Sequence, residues 1–413
     1  MAAPLIDDGA VLVLDGRVAA VGRWREVAPV ACGPVTDLGE VVLFPGLVNA
    51  HAHLDYTHFA GALTPPRRFT DWVQGVLALK AQWSYSEYAA SWLEGARQLL
   101  TSGCTTVLDF EAVPELLPEC WDNTSLRVVS ALEMTGVRSG RSPFEMVEAA
   151  VAWVEGCRHP RSRGALGPHA PYSTRPDLVR RAAEVVRQRG WVVSMHVAES
   201  EDEYEMFLGG RGPMYDWLRA QRDMSDCGGR TPVQRVAEAG LLGPEAVLVH
   251  VNYLGPGDAE LLGASGCTVV HCPRSHAYFG HAPFPWEALR KAGVRLGLGT
   301  DSLLSVRKLG KRLPRLDFRA ELTAAWSCSG WSPEEVLRAA TVSGGEAVGQ
   351  AGEVGVLREG SRADAVAWSY EGSAAEAVEA WVSGTGSDVV SVMSGGRWVV
   401  NGGHIVMGEG EGS

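Results

Sequence analysis

Several histidines stand where an apolar run gives way to a polar residue. His51-Ala52-His53 follows the run 41–50, which is broken by Pro45-Gly46. Side chains alternate across a strand, so residues two apart leave the same face, a geometry that suits a metal ion. Such a pair alone is weak evidence, but later runs end in the same way. His169, His196 with Glu199 one turn on, His250, His271 and Gly299-Thr300-Asp301 all sit at the ends of strand-like segments. His51, His53, His196 and Asp301 together form a nitrogen and oxygen set suited to a borderline divalent ion that keeps one position open for water. Zinc is the first choice for a single ion, with iron(II) and other first-row metals left open. The chemistry would be hydrolytic, because such an ion lowers the pKa of its water to about 7. Asp301 would ligate the ion and accept the water's proton. Glu199 would carry a proton to a substrate ring and its leaving group, and His250 would hydrogen-bond the hydroxide or the tetrahedral oxyanion.

These residues need a scaffold that gathers strand ends. Beyond the run before His51, strands are predicted at 104–110, 126–132, 164–169, 191–197, 246–251, 267–271 and 294–299. Helical spacing lies between them at 88–100, 143–155, 176–188 and 256–264, with a long polar segment after 197. Eight strands alternating with helices predict an α/β fold, a (β/α)8 TIM-type barrel, whose chemistry lies at the C-terminal strand ends. Both chain ends have a different texture. Short strands flank an Asp15-Gly16 turn, another covers 40–44, and four more are predicted at 354–357, 363–368, 389–393 and 398–406. We therefore expect residues 46–350 to form the barrel, with 1–45 and 351–413 building a small composite β-sandwich domain. Pro45-Gly46 would be the hinge between them, and the Gly/Glu/Ser tail 408–413 is expected to fray.

With 413 residues, 46% hydrophobic and 21% charged, the composition is that of an ordinary globular chain. A net charge of −12 argues against a sequence-independent nucleic-acid binder, which needs a basic surface. The eight cysteines are scattered without a C-x-x-C pair, as expected of free thiols in a reducing compartment. No leader-like or membrane-spanning run is visible, so a cytoplasmic protein is expected. Its expected partners are a small-molecule substrate and, at most, a second copy in a homodimer, with neither nucleic acid nor membrane.

Phe44-Pro45-Gly46-Leu47-Val48-Asn49-Ala50-His51-Ala52-His53, Met195-His196-Val197-Ala198-Glu199, Val249-His250 and Gly299-Thr300-Asp301-Ser302 resemble the amidohydrolase superfamily. The likeness spans nearly the whole chain. It is to the deaminase and chlorohydrolase branch that includes the methylthioadenosine/S-adenosylhomocysteine deaminases. The resemblance implies a mononuclear barrel enzyme with metal ligands His51, His53, His196 and Asp301, acid/base roles for Glu199 and His250, and substrate contact by His169. Binuclear members carry a carboxylated lysine at the end of strand four. Here the lysines are Lys80, Lys291, Lys308 and Lys311, and that strand end holds His169.

The segment His271-Cys272-Pro273-Arg274-Ser275-His276-Ala277-Tyr278-Phe279-Gly280 departs from the Asn-Pro-x-Ser-Asn type found in adenosine-type deaminases. It looks most like the aminodeoxyfutalosine deaminases of the alternative menaquinone route. That likeness implies deamination of an adenine-type nucleoside whose benzoate end would want an arginine fork. Arg274, Arg67, Arg68 and Arg307 are candidates for the fork, and His276 is a further candidate substrate contact. Phe69, Trp72, Trp83 and Tyr278 are candidates for stacking. The competing readings are an adenosine, methylthioadenosine or S-adenosylhomocysteine deaminase, a guanine deaminase or triazine-type chlorohydrolase of the same branch, and a non-catalytic barrel.

Overall fold

The predicted barrel runs pair in chain order as one parallel sheet of eight strands. They are β1 Leu47–Ala52, β2 Cys104–Glu111, β3 Arg127–Met134, β4 Arg163–Pro168, β5 Val193–Val197, β6 Ala246–His250, β7 Thr268–His271 and β8 Arg295–Leu298. In this computed structural model, which describes residues 5–137, 140–385 and 389–406, a parallel bridge between Ala52 and Asp301 joins the two edges. The strands read as unbroken apolar runs because both their faces are covered. Val48, Phe110, Val129, Val249 and Val270 pack together in one cluster, and a larger one includes Trp92, Leu99, Trp121 and Leu178 from the helices.

The helices lie where their spacing placed them, at Tyr85–Thr101, Pro143–Gly156, Pro176–Arg189 and Asp258–Ser265. Ser84 with Glu87, and Ser142 with Glu145, form capping boxes that satisfy the first free N–H groups. The polar segment after β5 folds into short helices, Glu201–Gly209, Pro213–Leu218 and Pro232–Glu238. Met206, Phe207, Met214 and Leu218 from this segment pack with Phe69 and Tyr172. Phe69 opens a further helix, Phe69–Lys80, that carries Lys80 toward the barrel mouth.

The chain ends do meet. Val41–Pro45 pairs antiparallel with Ala365–Ser369, and the same five-stranded sheet continues through Val389–Ser394, Arg397–Asn401 and His404–Ile405. The Asp15-Gly16 hairpin, Gly9–Leu14 with Arg17–Arg23, is a separate two-stranded sheet. It is fastened to the later segment where Ala363 N donates to Gly16 O and Gly360 N to Val18 O. Gly46 sits at the junction with the barrel, where a Cβ would fall 2.2 Å from Thr105 Oγ1. Only glycine leaves room for the Thr105 side chain there.

Two expectations are corrected. Residues 354–357 are not a strand, because Gly355 has a φ of +69° and lies against the Thr341 carbonyl, which bends the chain out of any ladder. Val354 instead packs with Ala347 and Val348. The predicted strand 398–406 is a hairpin turned at Gly402-Gly403. The tail 408–413 lies outside the described residues. No helix among the described residues is long and apolar enough to cross a membrane.

Candidate active site

The polar strand-end residues converge on one end of the barrel. β1 delivers His51 and leads directly into His53, β5 delivers His196, β6 ends at His250, and the loop after β8 delivers Asp301; all five are buried. His53 Nε2 lies 3.2 Å from His196 Nε2. Asp301 Oδ1 lies 3.6 Å from His51 Nε2 and 3.7 Å from His53 Nε2. Donor atoms of His51, His53 and Asp301 fall within 4.8 Å of one another, as do those of His51, His196 and His250.

These residues fit a metal ion. Both ring nitrogens of His51 and Nδ1 of His53 are buried without a hydrogen-bond partner. Buried polar atoms are almost always satisfied, so this grouping asks for a ligand. His196 Nδ1 lies 2.9 Å from the His169 carbonyl. A carbonyl only accepts, so Nδ1 carries the proton and the Nε2 lone pair faces the cluster.

Asp301 is held by groups that the sequence did not single out. Its Oδ2 accepts from Ser275 Oγ at 2.6 Å and from Ser305 Oγ at 3.0 Å. That clasp turns Oδ1 toward His51 and His53. Asn49 also escaped notice. Its Oδ1 accepts from the backbone N–H of His51 and of Thr300, both at 3.2 Å, and its Nδ2 donates to Thr300 Oγ1 at 2.8 Å. Asn49 thus locks β1 to the loop after β8. The backbone is bent out of its ordinary range at the same places. Ala198, His250, Val251 and Asp301 have positive φ without being glycine, and Val251 is β-branched. Strain of this kind concentrates where side-chain aim matters more than backbone comfort.

Glu199 and His250 form a second pair, with Glu199 Oε1 3.5 Å from His250 Nε2. Asn252 Nδ2 donates to the Glu199 carbonyl at 2.8 Å, while Asn252 Oδ1 lies 3.1 Å from His276 Nδ1. His276 is therefore joined to the Glu199 segment through Asn252. His169, at the end of β4, has Nδ1 2.6 Å from Ser173 Oγ. His271 packs against Phe284 and Trp286, with ring centroids 3.9 and 4.7 Å away. Beside His53 lies a further layer. Tyr56 stacks on its ring at 5.2 Å, and Lys80 Nζ sits 5.1 Å over Tyr56 and 3.7 Å from Glu133.

Arg274 is tied to its neighbours through one guanidinium nitrogen. Its Nη1 bonds the carbonyls of Arg315 and Asp317 at 3.1 and 3.3 Å and lies 3.5 Å from Glu321, which also accepts its backbone N–H. The Glu321 carboxyl is buried, and the pairing ties the loop helix to this arginine. The mouth aromatics pack the loops instead of lining an open face. Trp83 lies 3.8 Å from Phe59, and Phe69 and Trp72 both contact Phe279.

The titration of the site follows from its dryness. Burial, with the neighbouring ring of His51, lowers His53 to about 3, and burial lowers His250 to about 3. His196 is pushed well down by burial and by His51 and His169. These rings are neutral, the form that ligates a metal. Burial, with Asp301 and Glu203 nearby, raises Glu199 well above the ordinary carboxyl range. Burial works against the charge of Asp301, but the surrounding histidines, His51 first, hold it well below its ordinary value. Two carboxyls on one floor are thereby driven apart, one toward proton donor and one toward proton acceptor.

A closed parallel barrel with imidazoles and a carboxylate at its C-terminal end defines the metal-dependent barrel hydrolases. The amidohydrolase family profile matches residues 42–399. The chain is 31% identical to a 5-methylthioadenosine/S-adenosylhomocysteine deaminase of Syntrophobacter fumaroxidans, over 87% of this chain and 80% of that protein. It is 29% identical to an aminodeoxyfutalosine deaminase of Deinococcus radiodurans, over 85% of this chain and 84% of that one. The solved structure of an adenosine deaminase from Xanthomonas campestris with bound zinc superposes with a TM-score of 0.82 at 23% identity, covering 97% of this chain and 90% of the other. The chain belongs to the amidohydrolase family and is a hydrolase acting on carbon–nitrogen bonds.

Proposed function

We propose that the protein is a mononuclear metal-dependent deaminase of adenine-type nucleosides, with aminodeoxyfutalosine as its substrate. The observation that carries this reading is the pair of unlike carboxyls, Asp301 and Glu199, set among buried imidazoles at the ends of β1, β5, β6 and β8. His51, His53, His196 and Asp301 would hold the ion, with zinc the first choice. Bound there, the ion supplies Lewis acidity that lowers the pKa of a water to about 7.

The chain's own groups do the rest. Asp301, ionised and oriented by Ser275 and Ser305, accepts the proton of the attacking water. Glu199, protonated, gives its proton to the purine ring, then takes up the proton of the added hydroxyl and passes it to the departing amine, and the proton held by Asp301 returns to Glu199. His250, neutral and 3.5 Å from Glu199, donates to the oxygen that develops charge. His169 and His276 flank this floor as substrate contacts. The net change replaces the C6 amino group by oxygen: one water is consumed and one ammonia leaves. The barrel, 46–350, would carry this chemistry, and the two ends, 1–45 and 351–413, a separate β unit.

The segment 271–280 and the Deinococcus relative favour aminodeoxyfutalosine. With Arg274 Nη1 engaged within the protein, Arg67, Arg68 and Arg307 stand beside it as candidates for the benzoate fork. Arg307 makes only long contacts, 3.4 and 3.5 Å, to the carbonyls of Tyr278 and Ala277. The Syntrophobacter relative favours methylthioadenosine or S-adenosylhomocysteine as a second reading. Zinc-loaded protein should be incubated with aminodeoxyfutalosine, methylthioadenosine, S-adenosylhomocysteine and adenosine side by side, following ammonia and the adenine-to-hypoxanthine absorbance change. The highest kcat/KM is expected for aminodeoxyfutalosine. A preference for methylthioadenosine or S-adenosylhomocysteine installs the second reading, and release of ammonia from none of the four overturns both.

A further inference from the structure

A cleft of about 710 Å³ opens at the far end of the barrel from the histidines. It is lined by Arg127, Arg161, Arg362 and Arg397 against one carboxylate, Asp15, together with the Gly16, Gly395 and Gly396 turns. Arg127 is the first residue of β3 and so stands at the N-terminal strand ends, opposite the mouth that carries the chemistry. Four guanidiniums around one cleft are out of keeping with a chain whose net charge is −12.

The internal partners of Arg127, Arg161 and Arg362 only partly account for the charges of these three. Arg127 is 3% exposed, its Nη2 makes a 3.4 Å contact to Asp364, and its Nε is buried with no hydrogen-bond partner among the described residues. The second Asp364 oxygen is taken by the Gly395 N–H at 2.7 Å. Arg362 Nε lies 3.7 Å from Glu353, a carboxylate already shared with Arg17 at 3.0 Å. The Arg161 guanidinium donates to the Thr124 carbonyl, which brings no charge, and burial together with the like charges of Arg127 and Arg397 lowers its pKa, although Asp122 opposes this. Like charges crowded in a half-buried cleft repel one another unless an anion lies between them.

We propose that this cleft is a second ligand site, which takes the phosphate group of a small phosphorylated metabolite. Guanidinium forks match phosphate oxygens two at a time. The volume also falls within the range of small-molecule pockets, well beyond what a bare phosphate fills, so an organic portion fits beside the phosphate. Asp15 is the natural limiter of affinity. It holds a φ of +49° in the turn before Gly16, a conformation asparagine adopts readily, so its charge can be removed without disturbing the turn.

The test is calorimetric titration of the zinc-loaded protein with pyrophosphate, with inorganic phosphate and malonate in parallel. Wild type should bind pyrophosphate saturably at one site, more tightly than phosphate. Arg161→Gln and the double variant Arg161→Gln/Arg397→Gln should weaken it by about tenfold or more, and Asp15→Asn should tighten it severalfold. Asp301→Asn, which alters only the opposite end of the barrel, should leave it unchanged. The absence of saturable binding, equal affinity in the arginine variants, loss of binding in Asp301→Asn, or tighter binding of malonate than of phosphate would each overturn the proposal.

Discussion

Removing the hydroxyls that hold Asp301 should cripple the site while leaving every proposed ligand in place. Ser275 Oγ and Ser305 Oγ both donate to Asp301 Oδ2, at 2.6 and 3.0 Å, and all three residues are buried. A hydrogen bond to a charged group contributes about 1.5–3 kcal/mol, the shorter one weighing more. Ser275→Ala should therefore lower kcat and zinc affinity by roughly 10- to 100-fold, the range usual for residues that orient metal ligands. Ser305 is shared with the Ser302 carbonyl at 3.1 Å and should matter less. The double variant leaves Oδ2 buried with neither hydroxyl, so its loss should exceed either single loss. Steady-state kinetics on the preferred nucleoside, together with zinc competition against a chelator, reads both quantities. The melting temperature of zinc-loaded protein controls for unfolding. A double variant that kept kcat and zinc affinity within twofold of wild type would refute the claim that the clasp aims Asp301.

Glu199→Gln should abolish turnover while still binding one zinc per chain by metal analysis, because the proton donor is lost but the ligands are not; near-full activity would remove Glu199 from the mechanism. Chelation of the metal should abolish activity, and zinc should restore it, as followed by ammonia release. Asn49→Ala breaks two buried hydrogen bonds between β1 and the loop after β8 and a third within β1, and should cost about 2–4 kcal/mol, measured by denaturant unfolding of the zinc-loaded protein. Burial raises Glu203 to about 8 although the N–H groups of Glu199 and Ala198 oppose this. The folded state keeps that proton from the ordinary carboxyl value up to about 8 while the unfolded chain loses it, so the contribution of Glu203 to stability falls as pH rises across this window. Glu203→Gln should flatten the decline in melting temperature between pH 5 and 8, and an unchanged slope would count against it.

The barrel was legible because each strand is a short apolar run ending at a polar residue, and the helices between them carry their own caps. The histidines and Asp301 were legible for the same reason, since a strand end in this fold has only one side of the barrel to face. Ser275, Ser305 and Asn49 were not, because serine and asparagine near a turn usually serve the local backbone. What makes them different is a partner far along the chain: Thr300 lies 251 residues from Asn49. The internal ties of Arg274 were hidden for a related reason. An arginine on a mouth loop reads as a solvent-facing fork until Glu321, 47 residues on, is seen beneath it. The 354–357 run failed because its apolar residues satisfy a packing need without a ladder, and Gly355 already bends the chain there.

The Ala52–Asp301 bridge gives the site an order in time. The proposed ligands come from the first strand, the fifth and the loop after the last. A chain growing from its first residue contains the whole set only once residue 301 has been added, and none lacking β8 can close the ring that sets their spacing. A chain emerging from the ribosome would therefore offer an ion only scattered, weak sites until its barrel is nearly finished. Tight uptake of the ion would then mark completed synthesis, and the bound metal would act as a clip across the last seam to form.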